Sequence, residues 1–454
     1  MNATTTEVLV GFHGEGSGIG ALTWGQQEIW NTIQRTGRTL NIGGVMRLPE
    51  GRQLKEFESL LRFVITRHQA LRTRLKLDAT APPQQIVESS GEICLQVLDI
   101  DADDDPDTAA ERLRGSYEDK PFDYAHEWPV RMGVVRQAGE LTHLVVQYCH
   151  LAVDGQGIQA IVRDLANMDD ATATVQGIRP LELAQMQASP LGRHHSEKSL
   201  RYWENLLRGI PAQRSGGSTD HREPRFWELF CYSPAMHLAL RAIAARTKVD
   251  TSHVLLAAYA VAVARITGRN PSVAQVIVSN RFRPRFAPAV AALSQPSLCV
   301  IDTAGAGFDE VVGRAWRAST AGNLHAYYDP RQHREMMARL ARERGEDIDI
   351  SCFVNDRRDQ PPPRPDDPLP TRGEILTALE RTTLRWDRRQ ATFDGRFYLQ
   401  VDSAPDTNVP GRINPREAQL PAVYLAIWAD THFLAPQDIE AVARKLESQL
   451  VQAA

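Results

Sequence analysis

This sequence predicts an α/β protein with two domains. Patterns typical of helices and of strands recur in both halves of the chain. The length of 454 residues is well above that of one ordinary core, and 42% hydrophobic residues are ample for burying more than one. A polar stretch with several glycines and prolines near the middle favours a boundary there. We therefore predict a first domain over residues 1–175, a linker over 176–199 and a second domain over 200–454.

The first domain opens with a glycine-rich stretch, residues 13–20. No Gly-Lys-Ser/Thr follows it, so we interpret it as a flexible turn and not as a phosphate-binding loop. Thr23 then suits the N-cap of a helix that Gly37 ends. Hydrophobic spacing predicts the remaining elements. In chain order these are a helix over 54–67, strands over 72–77 and 86–98, a helix over 108–117, a strand over 144–148 and a helix over 157–168.

The second domain shows the same mixture of patterns. In chain order these predict helices over 200–207, 235–247 and 252–266, strands over 273–279, 349–354, 397–401 and 423–427, and a last helix through Ile439, Val442, Ala443 and Leu446.

Charge and cysteine content exclude several classes of protein. The net charge is −4 and the pI is about 6.4, so the basic footprint that nucleic acid requires is missing. The five cysteines are scattered, odd in number and never spaced as Cys-x-x-Cys, which argues for free thiols and against a zinc site or a disulfide framework.

The sequence also predicts neither secretion nor membrane insertion. The N-terminus lacks the basic and apolar regions of a signal peptide. The most apolar segment, Val254–Ile266, is shorter than the roughly 20 residues that span a bilayer. We therefore expect a cytoplasmic protein that makes no contact with membranes.

The most informative stretch joins the predicted strand over 144–148 to the predicted helix over 157–168. His150 and Asp154 lie in this connection, where the end of a strand fixes the direction of a side chain and the loop leaves it accessible. Imidazole titrates near neutrality, so a neutral histidine there can accept a proton from an attacking nucleophile. The pattern therefore makes His150 the candidate catalytic residue.

Residues Cys149–Gly155, CHLAVDG, resemble the His-His-x-x-x-Asp-Gly signature of the condensation domains of nonribosomal peptide synthetases, with Cys149 in place of the first histidine. Other segments follow in the order of that family, and the resemblance spans nearly the whole chain but is weakest after about residue 300. These segments are Leu22–Trp30, Arg67–Leu75 with its Arg-His-x-x-Leu-Arg-Thr pattern, Tyr202–Glu204 and Val278–Arg281.

The resemblance implies a fold and a reaction. The fold would be two chloramphenicol acetyltransferase-like lobes in a V-shaped pseudodimer, with His150 near the middle of a channel between them. The reaction would be attack of an amine on an acyl thioester, which an acyl or peptidyl carrier protein delivers on its phosphopantetheine arm. The amine would be a small molecule or itself carrier-bound, and neither a tightly bound cofactor nor a metal is implied. The chain would act as a free-standing enzyme of natural-product biosynthesis, such as that of an antibiotic.

The resemblance also implies roles for individual residues. His150 would assist proton removal, and Asp154 would pair with a buried arginine, for which Arg281 and Arg72 are the two candidates. Gly155 would suit a position with little room or a positive φ. Consecutive strand residues point to opposite faces, so Cys149 is expected to pack and shape the loop rather than share a proton with His150.

Three alternatives remain open at this point. The chain could be an ester-forming acyltransferase of the same superfamily, which uses an alcohol acceptor. It could be a degenerate domain that only binds carrier proteins or recruits a partner enzyme. It could also be a hydrolase or transferase that depends on Cys149 as its nucleophile.

Overall fold

The computed structural model describes residues 4–168, 175–211, 218–358, 368–403 and 420–454. The chain forms two compact units, and neither unit is one continuous stretch of the chain. Of the described residues, the first unit contains 4–195 and 279–295, and the second contains the rest.

The first unit combines two sheets with helices. Its main sheet has the strand order β1-β6-β7-β8-β3, in which β6 and β7 are parallel and the other neighbours are antiparallel. A smaller antiparallel sheet has the order β2-β5-β4. The elements are β1 (Thr4–His13), β2 (Gly18–Ala21), α1 (Trp24–Thr36), β3 (Asn41–Arg47), α2 (Leu54–Arg67), β4 (Thr73–Lys76), β5 (Gln84–Val87), β6 (Ser90–Ile100), α3 (Pro106–Asp119), β7 (Val130–Gln137), β8 (Glu140–Cys149), α4 (Gly155–Leu165), α5 (Pro180–Ala188) and α6 (Pro190–Gly209), which continues into the second unit.

Alternation along the strands of the main sheet places helices on both of its faces. Leu144 belongs to the core that the sheet shares with α2 and α4, whereas Val145 belongs to the core that it shares with α3. Successive strand residues point to opposite faces, which accounts for this division. Strand β8, which leads to His150, is therefore buried on both sides and fixed in position.

The second unit is built on one seven-stranded sheet with the order β11-β10-β12-β14-β15-β9-β13. Strands β10, β12 and β14 are parallel neighbours, and β14, β15, β9 and β13 pair antiparallel. The elements are β9 (Phe226–Ser233), α7 (Pro234–Thr247), α8 (Thr251–Thr267), β10 (Ser272–Val278), β11 (Gln295–Ile301), α9 (Phe308–Asn323), α10 (Pro330–Arg344), β12 (Cys352–Asp356), α11 (Arg372–Leu379), β13 (Thr383–Gln390), β14 (Phe397–Asp402), β15 (Val423–Asp430) and α12 (Pro436–Ala453).

Helix α8 forms the centre of the second core. Its residues 254–263 are all buried, and its apolar character extends all round the helix because neighbours cover every side. Within the described ranges, no single helix is long and apolar enough to cross a bilayer. Helices α7 and α8 reach that length only together, and they are bent by 107° relative to one another.

The structure corrects the predicted linker. Residues 180–188 and 190–209 are helical, where we predicted a polar connection over 176–199. Pro180 and Pro190 each stand at the first position of a helix, where proline is favoured because no intrahelical partner is needed for its missing N–H. Residues 279–295, which we predicted in the second domain, lie in the first unit.

Candidate active site

His150 directly follows the last residue of β8, and β3 fixes its backbone. The backbone N–H of His150 donates to the carbonyl of Leu40 at 2.9 Å, and Cys149 pairs with Asn41 in the antiparallel ladder. A turn then leads to Asp154, the N-cap of α4. The side chain of His150 is only partly buried, so it remains accessible in a loop whose two ends are fixed.

The ring of His150 is partly enclosed. Its Nδ1 is buried without a hydrogen-bond partner among the described residues. Burial lowers the pKa of His150, although the charge of Asp154 and the backbone of His150 and Val153 favour the protonated ring. The imidazole is therefore neutral at pH 7.

Both carboxylate oxygens of Asp154 accept hydrogen bonds. Its Oδ1 accepts from the backbone N–H of Gly157 at 2.8 Å and from Arg281 at 2.6 Å. Its Oδ2 accepts from the N–H groups of Leu293 and Ser294 at 3.0 and 3.1 Å and from the Ser294 hydroxyl at 2.9 Å. We call the four residues that donate these five hydrogen bonds, Gly157, Arg281, Leu293 and Ser294, the Asp154 clamp.

The clamp holds the carboxylate in its ionised form. Burial alone would raise the pKa of Asp154, but the charge of Arg281 and the hydrogen bonds from Leu293 and Gly157 outweigh it, and the pKa falls below its usual value. Only 2% of Asp154 is exposed, and its oxygens already accept five hydrogen bonds. It has no free lone pair for proton transfer and serves to fix the loop.

The two candidate arginines lie in different places. Arg281 contacts Asp154 and also donates to the carbonyls of Phe286 and Ala289 at 2.9 and 2.7 Å. Arg72 makes no contact with Asp154. Its guanidinium donates to the carbonyls of Glu15, Gly16 and Glu88, so the expectation that it could be the partner of Asp154 is wrong.

The prediction that Gly155 occupies a position with little room or a positive φ is also wrong. The position with little room is that of Gly157, two residues later. A Cβ on Gly155 would meet nothing within 4 Å, and its φ is not positive. A Cβ on Gly157 would lie 2.5 Å from a methyl of Val153 and 3.1 Å from the carbonyl of Ala291. The helix start therefore packs tightly at Gly157, whose N–H also bonds Asp154.

Cys149 is only 1% exposed and packs in an apolar cluster. Burial raises the pKa of its thiol to about 12, which argues against a thiolate nucleophile. A cavity of about 20 Å³ lies beside it, enough room for about one water molecule. The clustered residues are Leu22, Ile33, Leu75, Phe122, Cys149 and Leu151.

Sequence reasoning missed Gly157, Leu293 and Ser294, which complete the clamp. Leu293 and Ser294 are separated from Asp154 by 139 and 140 positions, and two of the three hydrogen bonds come from backbone N–H groups that any residue could supply. Spacing in the sequence holds no signal for such partners. No group of three or more His, Cys, Asp or Glu side chains is placed to hold a metal ion in the part of the chain that the structure describes.

Comparisons with known proteins place this geometry in a family. The family model described as Condensation domain matches residues 18–291, more than half of the chain. Phosphinothricin tripeptide synthetase PhsC from Streptomyces viridochromogenes is 27% identical over 285 residues, which cover 58% of this chain and 26% of that protein. Gramicidin S synthase 2 from Aneurinibacillus migulanus is 24% identical over 261 residues, which cover 56% of this chain and 6% of that protein. The match thus spans about a quarter or less of these relatives.

Solved structures share the fold at low sequence identity. The X-domain from teicoplanin biosynthesis aligns with a TM-score of 0.71 and 17% identity, covering 95% of this chain and 94% of that chain. The X-domain from teicoplanin biosynthesis in complex with OxyB aligns with a TM-score of 0.70 and 18% identity, and the alignment covers 95% of this chain and 92% of that chain. SgcC5 from Streptomyces globisporus was solved in complex with a naphthyl-1,2-ethanediol and sucrose. It aligns with a TM-score of 0.68 and 17% identity, and the alignment covers 96% of this chain and 98% of that chain. The predicted mixed α/β class is confirmed.

Proposed function

The chain belongs to the condensation-domain family, and we propose that it joins a carrier-bound acyl thioester to an amine in nonribosomal peptide or related natural-product biosynthesis. The family and its mixed α/β, chloramphenicol acetyltransferase-like fold support a condensation-type role. The acyl group would arrive on the phosphopantetheine arm of an acyl or peptidyl carrier protein. We further propose that the carrier is accepted as a separate protein.

In the proposed reaction, the amine nitrogen attacks the thioester carbonyl. A C–N bond forms, the C–S bond breaks, and the proton lost from the amine passes to the departing thiolate. Nε2 of His150 accepts that proton from the amine and returns it to sulfur. Because a thioester is already activated, holding both substrates in place supplies much of the rate.

The observation that carries this proposal is the neutral imidazole of His150, which is partly exposed at the end of β8. Its lowered pKa keeps the ring unprotonated at pH 7, and the fixed ends of its loop limit the positions that Nε2 can take. The motif has two other ionisable side chains. Asp154 is occupied by the clamp, and Cys149 is buried with its pKa raised to about 12. His150 is thus the side chain of this loop that is free to exchange a proton.

The proposal is tested by intact-mass detection of acyl transfer. An acyl-loaded carrier protein, supplied as a separate chain, is mixed with a panel of amines and with the wild type, His150→Ala or His126→Ala. His126 is a matched control, since it is an exposed histidine outside the motif. We expect His150→Ala to lower the rate at least about 100-fold and His126→Ala to leave it unchanged. A folded His150→Ala variant with the wild-type rate would refute the role of His150.

An ester-forming reaction is the second candidate. SgcC5, which shares the fold, was solved with a 1,2-diol, and a hydroxyl could replace the amine without any change in the role of His150. Alcohols in the same acceptor panel separate the two reactions. Faster esterification than amide formation would replace the amine in our proposal by an alcohol.

Recruitment of a partner protein is the third candidate. It is favoured by the complex of an X-domain with OxyB and by the departure from the family motif at Cys149. The same assay addresses it, because a carrier that binds while no acceptor is acylated by the wild type would support recruitment over catalysis.

A further inference from the structure

A large cleft lies in the first unit, and none of its lining residues belongs to the His150 loop. Its volume is about 1320 Å³, above the roughly 300–1,000 Å³ typical of small-molecule pockets. The end of β1, helix α2, the beginning of β6 and residues 175–180 form its walls. The cleft is therefore large enough for a small molecule and separate from the proposed active site.

Arginines outnumber carboxylates on these walls. Four arginines line the cleft, and Glu15 and Glu92 are the two acidic residues among the lining side chains. Arg67 is occupied, because its Nε donates to Asp164 at 2.7 Å. The remaining arginines are Arg62, Arg72 and Arg179.

Arg62 and Arg179 have donors to spare. Arg62 is exposed, and only its Nε has a partner among the described residues, the carbonyl of Gly11 at 3.1 Å. Among the described residues, the guanidinium of Arg179 donates to the carboxylate of Glu15 alone, at 3.4 Å, and that carboxylate is 88% exposed. Such an exposed, long ion pair is worth little, so both guanidinium groups can bind another oxyanion.

Arg72 adds a buried positive charge to the wall. It is 1% exposed and is held by carbonyl oxygens alone, and its Nε has no partner among the described residues. Burial and the charge of Arg179 lower the pKa of Arg72, although Glu15 opposes them. The charge is thus only partly compensated, and an anion in the cleft would stabilise it.

The glycine-rich stretch that we predicted as a flexible turn encloses this arginine. A Cβ on Gly14 would lie 2.2 Å from the carbonyl of Thr66 and 2.8 Å from Nε of Arg72, and Gly16 has a φ of +77°. Only glycine allows this loop to close over the guanidinium. The stretch is therefore a fitted part of the cleft wall.

We propose that this cleft binds a small phosphorylated organic molecule. Its phosphate would be held by Arg62 and Arg179, within the field of Arg72, because guanidinium groups match phosphate geometry with paired N–H donors. Its apolar part would pack against Phe63 and Val290, which also line the cleft. This inference goes beyond the proposed acyl transfer and does not depend on it.

Isothermal titration calorimetry tests the site with adenosine 3′,5′-bisphosphate and, separately, inorganic phosphate as probes. We expect saturable binding of the bisphosphate, tighter than that of inorganic phosphate. Arg62→Gln and Arg179→Gln should each weaken it about 10-fold, the loss expected for a hydrogen bond to a charged group. Glu15→Gln should strengthen binding, because it removes the carboxylate that competes for Arg179.

Arg201→Gln is the control, an exposed arginine of α6 that does not line the cleft. Circular dichroism verifies that each variant is folded. The proposal is overturned if the wild type shows no saturable binding at millimolar bisphosphate, or if a folded Arg62→Gln/Arg179→Gln double variant binds as well as the wild type. Equal affinity for inorganic phosphate would overturn the claim of an organic ligand, and weaker binding by Glu15→Gln would overturn the assigned role of Arg179.

Discussion

His150 and Asp154 lie four residues apart in one loop, but their side chains have opposite surroundings. Asp154 is 2% exposed and accepts five hydrogen bonds. His150 is partly exposed, and its buried Nδ1 has no hydrogen-bond partner among the described residues. Within this loop, Asp154 therefore stabilises the structure, whereas His150 is left available for chemistry. Each of the following predictions tests that separation.

Removal of the Asp154 carboxylate should have the largest effect on stability. Asp154→Ala leaves Arg281 buried without its counter-charge, and breaking one member of a buried ion pair costs about 3–5 kcal/mol. Urea unfolding followed by circular dichroism measures the change. Asp119→Ala, at the exposed end of α3, is the control and should unfold like the wild type. An equally small change for Asp154→Ala would mean that the clamp does not hold the loop.

The two glycines in the first turn of α4, Gly155 and Gly157, should respond differently to alanine. Gly157→Ala forces a Cβ against Val153 and Ala291, and such overpacking costs about 1–3 kcal/mol. Gly155→Ala meets nothing within 4 Å and should leave stability unchanged or slightly raised. Thermal unfolding of the two variants side by side provides the measurement. A larger loss for Gly155→Ala would restore the original sequence prediction.

Cys149 should matter for packing and not for chemistry. Cys149→Ala removes one buried sulfur, which by analogy with small core deletions costs about 1 kcal/mol, and acyl transfer should continue. A thiol-specific alkylating reagent should leave Cys149 unlabelled in the folded protein, because burial raises the pKa of the thiol to about 12. Rapid labelling of Cys149 together with loss of activity would favour the cysteine nucleophile instead.

We expect the smallest effect in the dependence of stability on acidic pH. The pKa of Asp154 is lowered in the folded protein, so the unfolded state binds a proton more readily. The stability that the clamp contributes is complete above the unfolded value, roughly pH 4, and is lost as the pH falls through the lower, folded value. Acidification below pH 4 should therefore destabilise the wild type more than Asp154→Asn, as measured by urea unfolding at several pH values. Equal slopes would contradict the assigned shift.

The sequence predicted local structure well where the pattern itself is local. The predicted helix over 54–67 is confirmed as α2, and Thr23 and Gly37 cap α1 as expected. Both follow from short-range spacing and capping chemistry. Strand β13 was missed, because its alternation is short and ends in the polar run Asp387–Gln390, and pairing with β9 decides its conformation.

The site was predictable in its motif but not in its partners. His150 and Asp154 were found because a strand and a helix flank them in sequence. Of the clamp, Arg281 was named as one of two candidate partners. Leu293 and Ser294 were not found, because they lie more than 100 positions from Asp154 and bind it mainly through backbone N–H groups. Arg72 shows the converse error: its charge suggested a carboxylate partner, whereas three carbonyl oxygens hold it.

The rate of acyl transfer by folded His150→Ala and folded Ser294→Ala, beside the wild type, tests the central claim most directly. Ser294→Ala removes one hydrogen bond of the clamp, which costs about 1 kcal/mol of stability, and should retain the wild-type rate within a few fold. His150→Ala should keep most of its stability and lose at least about 100-fold in rate. If Ser294→Ala lost the rate while His150→Ala kept it, the assignment of chemistry to His150 and of structure to the clamp would be contradicted.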